Sequence, residues 1–274
     1  HLRMGSPSWW ERLSALPATA LTAPTAPWCA HEGSTIGPHP PLLSGVDMGA
    51  TRDDLHRIAA HVLGRRRFAV SGHFGLRASP GGVATPAFGP EPEVLRLAGW
   101  TLVREVGTRC WSMPLDGSTL AELARFGGAD LDADFSAGPA TPPLGPTDTP
   151  LRLDDAELDG LYRWFDLGWR VLDAVTSDAS VASSWSTVQL WPEHFDAGTA
   201  ADLGSGVGVN LGFSGGDSFS EEPYAYVGPW GPERPGDPGY WNAPFGAFVP
   251  RSRAGDEGAG AAFLRSGLAQ LAGG

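Results

Sequence analysis

Apolar positions recur at helical spacing in three stretches of the chain and alternate in several others, so helices are interleaved with hairpin strands. Leu55, Ile58, Ala59 and Val62 form a stripe at intervals of three and four. This predicts a helix over 52–63, with Thr51 and Asp54 as its start signal and Gly64 as its stop. Phe68, Val70, Gly72, Phe74 and Leu76 then alternate along a predicted half-buried strand over 68–78. Pro80-Gly81-Gly82 turns the chain into a second strand near 83–88, and further strands are predicted over 93–104 and 108–113. Ser118 opens a short helix over 119–126 that Gly127 and Gly128 stop. The longest periodic run is 155–175, where Asp154 and Glu157 mark the start and Leu158, Leu161, Tyr162, Phe165, Trp169 and Leu172 share one face.

Beyond Ser183 the pattern returns to strands over 184–191, 207–213, 224–227 and 247–250, followed by a closing helix over 258–271. Hairpin connections outnumber crossovers, which predicts an α+β fold with mainly antiparallel sheets, four to five helices and Pro/Gly-rich loops. No internal repeat stands out in the residues. Residues 1–47 form a Pro/Ala-rich irregular arm, and 48–274 an α+β globular unit. A Pro-, Ala-, Thr- and Asp-rich linker over 132–150 is the best internal boundary.

At 42% hydrophobic and 18% charged, the 274-residue chain can bury a substantial core, while its 38 Gly and 25 Pro imply much irregular backbone. A net charge of -12 argues against a nucleic-acid partner. The one basic run, Arg65-Arg66-Arg67, reads as a cluster that complements a helix C-terminus. All 19 basic residues are Arg, which excludes Schiff-base chemistry, pyridoxal-phosphate attachment and a Walker-type lysine. Cys29 and Cys110 lack CxxC or zinc spacing, and Cys110 reads as a packing residue. No apolar run approaches the roughly 20 residues of a membrane span. The stretch 13–30 is broken by Pro17, Pro24 and Pro27, so no membrane association and a cytoplasmic location are expected.

Candidate chemistry concentrates in 185–245. The chain there reads Leu190-Trp191-Pro192-Glu193-His194-Phe195-Asp196, then Gly212 to Asp217, then Glu222-Pro223-Tyr224-Ala225-Tyr226-Val227-Gly228-Pro229-Trp230, and finally Trp241-Asn242-Ala243-Pro244-Phe245-Gly246-Ala247. Together with 68–89, these phrases resemble a family of uncharacterised proteins from high-GC Gram-positive bacteria. The resemblance runs from Met48 to the C-terminus. It implies one coherent fold over that span and brings no activity, cofactor or catalytic residue with it.

In an extended segment His194 and Asp196 share a face while Glu193 points away. An imidazole beside a carboxylate suits a general base or a metal ligand, and a histidine satisfied by its neighbours is the plainer alternative. The Gly212–Asp217 loop lacks phosphate-loop spacing and reads as a turn, the alternative being that Asp217 adds a third oxygen ligand near His194. His56 and His61, five apart, are off a shared metal face. Loop aromatics Trp191, Tyr224, Tyr226, Trp230 and Trp241, beside Asn242 and the acids, suit a stacking platform for a flat organic molecule, or else fill a core poor in Ile.

Three functions fit these residues. The first is a small-molecule-binding protein whose pocket holds Trp191, Asp217, Tyr224, Tyr226, Trp230, Trp241 and Asn242. The second is a metal-assisted or acid–base hydrolase using His194, Glu193 and Asp196. The third is a structural or partner-binding protein. The residues assign no cofactor, no particular metal and no oligomeric state.

Overall fold

The computed structural model describes residues 49–177, 185–204 and 206–273. The predicted arm over 1–47, with Cys29, and the start of the strand predicted over 184–191 lie outside the described residues. The chain opens with α1 (Gly49–Ile58), runs through a wide π-helical turn (Ala59–Gly64) and continues as α2 (Arg65–Ser71) without a break. Gly64 therefore does not end the helix. It keeps helical angles (φ -61°, ψ -48°), and a Cβ there would meet both the Ala59 carbonyl and the Pro192 ring at 3.2 Å. Close packing, not a left-handed cap, is what requires glycine at this position. The stop is Gly72, whose φ of 72° is left-handed and whose N–H donates to the Phe68 carbonyl at 2.8 Å. Phe68 and Val70, expected on a strand, thus lie on the helix and are 40% and 39% exposed.

Five antiparallel strands follow as a meander: β1 (Arg77–Ser79), β2 (Gly82–Ala84), β3 (Glu93–Ala98), β4 (Thr101–Val106) and β5 (Arg109–Pro114). The stretch expected to be one strand over 93–104 is a hairpin, because Gly99 takes φ 54° and Ala98 pairs with Thr101. Helix α3 (Leu120–Gly127) closes this half, with Thr119 and Glu122 in a capping box.

The second half repeats that order. Helix α4 (Asp155–Thr176) leads into β6 (Gln189–Trp191), β7 (Asp196–Asp202), β8 (Gly208–Ser214), β9 (Tyr224–Pro229) and β10 (Ala247–Pro250). The short α5 (Arg251–Ala254) and then α6 (Glu257–Ala272) complete it. Counting the run 49–71 once, the described residues form an α+β protein of five helices and two five-stranded antiparallel sheets. None of these helices is long and apolar enough to cross a membrane.

The two sheets meet at their leading strands, where Leu76 and Leu190 exchange backbone hydrogen bonds of 2.7 and 2.9 Å. Helix α4 lies over this seam and packs on β1 and β2 on one side and on β7 and β8 on the other. Its Leu158, Leu161, Trp164, Phe165, Leu172 and Val175 are buried in one hydrophobic cluster with Leu76, Leu97, Leu190, Leu211 and Phe213. Each such fully buried side chain contributes about 1.5–3 kcal/mol.

The predicted linker 132–150, together with residues 130 and 131 before it, folds back on the first helix. Arg57, His61 and Arg65, four residues apart on one helical stripe, hold it through backbone carbonyls. Arg57 reaches Leu144 and Pro146, His61 reaches Pro142, and Arg65 reaches Asp130, Leu131 and Ala133. The arginine run is thus not a single terminal cluster, because Arg66 pairs with Glu93 and Arg67 donates to the Gly75 carbonyl.

Thr51 links the two helices that frame the seam. Its N–H donates to a Glu157 carboxylate oxygen at 3.0 Å, and its hydroxyl accepts from the Asp154 N–H at 2.9 Å. A capping box is thereby formed between elements rather than within one, and Thr51 is buried. Thr51→Val keeps the shape and removes the acceptor. It should cost about 1–2 kcal/mol, read as a lower urea midpoint at unchanged slope. An unchanged midpoint would show that this cap is dispensable.

Candidate functional site

The helix-free face of the second sheet follows from strand register. Trp191, Asp196, Ser214, Tyr224 and Pro250 are successive cross-strand partners and form one row. Gln189, Gly198, Gly212, Tyr226 and Phe248 form the next row, and Ala200, Asn210 and Gly228 the one beyond. Opposite residues in a sheet share a face, so all of these look away from α4. The alternate positions, including Ala197, Leu211, Phe213, Ala225 and Val227, face inward and are buried.

Glycines at 198 and 212 leave a trough between Gln189 and Tyr226. A Cβ at Gly212 would overlap the Tyr226 ring, so the ring lies flat across β8. Its hydroxyl donates to Asp196 Oδ2, two strands away. Beside it the Tyr224 hydroxyl donates to Asp217 Oδ2 at 2.7 Å, while Asp217 Oδ1 accepts from the Phe219 and Ser220 N–H groups. Phe219 packs edge-on against Tyr224, Phe245 and Phe248, Tyr224 meets Phe248 edge-on and stacks on Phe245, and Phe219 remains 42% exposed.

Asp196 is the unusual member. It is 6% exposed, and its Oδ1 accepts no hydrogen bond of normal geometry. Burial pushes its carboxyl above the usual carboxylate range, against the opposing pull of the Tyr226 hydroxyl and the nearby His194 charge. Burial, with the adjacent carboxylates adding to it, raises the Tyr224 and Tyr226 hydroxyls, so both remain protonated donors.

Residues 192–195 are not the extended strand end expected from the sequence. They form the β6–β7 hairpin turn, closed by Phe195 N–H to the Trp191 carbonyl at 2.8 Å. Phe195 takes φ 52° at the position where such turns usually carry glycine or asparagine. It holds that conformation because its ring stacks on His56 (5.2 Å, 8°) and meets Phe165 edge-on at 4.9 Å. The turn separates His194 from Asp196. The imidazole projects outward, 60% exposed, and its nearest carboxylate is Glu193 at 3.7 Å. Glu193 itself accepts from the Ala140 N–H at 3.1 Å, tying the 132–150 segment to the turn. The paired His194–Asp196 arrangement expected from an extended chain is therefore not formed. No group of three metal-ligating side chains occurs among the described residues.

The remaining named aromatics divide. Trp191 stands at the end of the Asp196 row, with Phe74 edge-on at 6.1 Å. Trp230 is 60% exposed, yet its indole is seated over Gly208, where a Cβ would overlap it, and its N–H donates to Asn210 at 2.9 Å. Trp241 instead packs edge-on against Tyr240 and donates to the Pro235 carbonyl, while Asn242 bonds both backbone groups of Phe248. Those two residues secure a loop and do not reach the Asp196 row. Cys110, expected to be buried, is half-exposed on the outer strand β5.

Compared with known proteins, the chain matches no family model, no curated protein and no solved structure.

His56 and His61 carry work that their sequence spacing did not reveal. His56 Nε2–H donates to the Pro192 and Glu193 carbonyls at 3.0 and 3.2 Å, and so positions the turn that precedes Asp196. His61 donates through Nε2 to Pro142 and accepts through Nδ1 from Arg65 at 3.2 Å, which fixes the neutral tautomer. Burial lowers both histidines below their ordinary 6.5. The unfolded chain then binds protons first, so stability should fall as pH drops below about 6.5 toward the folded-state values. His56→Gln, which can still donate, should flatten part of that loss in denaturant midpoints compared at neutral and mildly acidic pH. Equal losses in both proteins would remove His56 from the account.

Proposed function

We propose that the protein binds a small organic ligand on the face of its second sheet that α4 does not cover. The ligand would combine a flat apolar body with an N–H or O–H donor. The observation that carries this reading is the buried, unpartnered Oδ1 of Asp196, set in a row between Trp191 and Ser214 and beside the Tyr226 ring. A buried carboxylate oxygen without a donor costs stability, and a ligand donor would recover that cost. The chain's net charge of -12 and the neighbouring Asp217 favour an amine over an acid.

Trp230 supports a second reading, in which the same face docks a protein partner. An exposed indole that is seated and hydrogen-bonded in advance suits the anchor of an interface. Trp230→Ala should then remove partner binding and leave the melting temperature nearly unchanged.

Asp196→Asn separates a binding role from a structural one. The amide spares the fold a desolvated carboxylate, so the variant should gain roughly 0.5–2 kcal/mol of stability. The same variant should lose the melting-temperature rise that tryptamine or tyramine gives the native protein, because specific ligands stabilise by mass action. A variant that melts several degrees lower and keeps the same ligand response would make Asp196 a structural residue and end the small-molecule reading.

A further inference from the structure

A second concave site lies on the other sheet, on its helix-covered face, where α3 stops short of the edge. Register places Leu95, Arg104 and Trp111 in one row and Glu93, Val106 and Arg109 in the next. With Phe126 at the end of α3, Arg104, Val106, Arg109 and Trp111 line an open cleft of about 380 Å³. That size falls within the range of small-ligand sites.

The cleft is cationic within an acidic protein. Glu93 is buried and shared, receiving Arg66 at 2.7 Å and Arg104 at 2.9 Å, so this triad retains one uncancelled positive charge. Arg104 uses Nε on Glu93 and Nη1 on the Phe126 carbonyl, leaving Nη2 without a hydrogen bond to any described residue. Arg109 adds a second guanidinium, loosely held by Glu91 at 3.3 Å with both side chains more than half exposed. Such an exposed pair contributes little and yields readily to a better anion. Arg109 also lies over the Trp111 ring at 5.4 Å, and that indole is 42% exposed.

We propose that this cleft binds a small aromatic carboxylate. The carboxylate lies between the Arg104 and Arg109 guanidiniums, whose planar forks match it in geometry and charge. The ring lies against Trp111, with Val106 and Phe126 supplying the apolar wall. This site shares no residue with the Asp196 face and does not rest on the function proposed for that face.

Calorimetric titration at low ionic strength with 2-naphthoate, neutral 2-naphthamide and inorganic phosphate tests the assignment on the full chain. Naphthoate should bind, and the amide should bind at least about tenfold more weakly for want of the charged hydrogen bonds. Arg109→Gln and Trp111→Ala alter exposed positions, so both variants should keep the native melting temperature. Each should weaken naphthoate by about fivefold or more, whereas Asp196→Asn should leave it unchanged. Failure of naphthoate to bind would overturn the proposal, as would equal binding of the amide or native affinity in both cleft variants. Phosphate binding as tightly as naphthoate would reduce the cleft to an inorganic-anion site and overturn it as well.

Discussion

Everything in this molecule depends on how two separate sheets are held at one seam. Leading strands of three residues each meet through the paired backbone groups of Leu76 and Leu190, and two hydrogen bonds contribute only about 1–3 kcal/mol. Apolar burial under α4 has to supply the rest. Trp164 and Phe165 lie at the middle of that helix, fully buried, and the Trp164 N–H reaches the Ser214 carbonyl at 2.7 Å. The Thr51 bonds fix the start of α4 against α1, so the helix that covers the seam is also set in rotation by the helix beside it.

Helix α4 covers one side of the second sheet, side chains and loops cover the Asp196 row on the other, and the chain treats the two sides differently. Inward positions on β8 are Val209, Leu211 and Phe213, whereas outward ones are Asn210, Gly212 and Ser214. Small outward residues let the Tyr226 ring and the Trp230 indole lie down on the strands. The result is a surface of flat rings over a polar floor, with Asp196 at its base. Polar and ring-bearing positions thus alternate with core positions along the same strands.

Much of this was legible in the sequence where one period ran long enough. Helix α4, with Asp154 at its start, and strand β10 lie where the apolar pattern placed them, and the antiparallel α+β class follows from the hairpins. The errors came where a residue's tertiary contact outweighed its local signal. Gly64 looks like a helix stop and is a packing contact, while Gly99 hides a turn inside an apparently continuous strand. The candidate site was legible in part. Asp196, Asp217, Tyr224 and Tyr226 do come together, but the partnership between Asp196 and Tyr226 crosses 30 residues and depends on the glycine at 212. A histidine beside acids suggests chemistry at His194, yet the turn sends it outward. The cleft at Arg104 and Trp111 is hard to read from the chain because its residues lie on two strands. Its one signal was an Arg–x–Val followed by an Arg–x–Trp, each spaced by two around a Gly107 turn.

Phe195 shows how such a turn persists without glycine. A bulky residue in the left-handed region costs about 1–2 kcal/mol of backbone strain, while removing a buried phenylalanine ring costs about 3–5 kcal/mol. The larger quantity decides the outcome. A Phe195→Gly chain would gain an easier turn and still be the less stable one, because the volume filled between His56 and Phe165 outweighs the backbone strain.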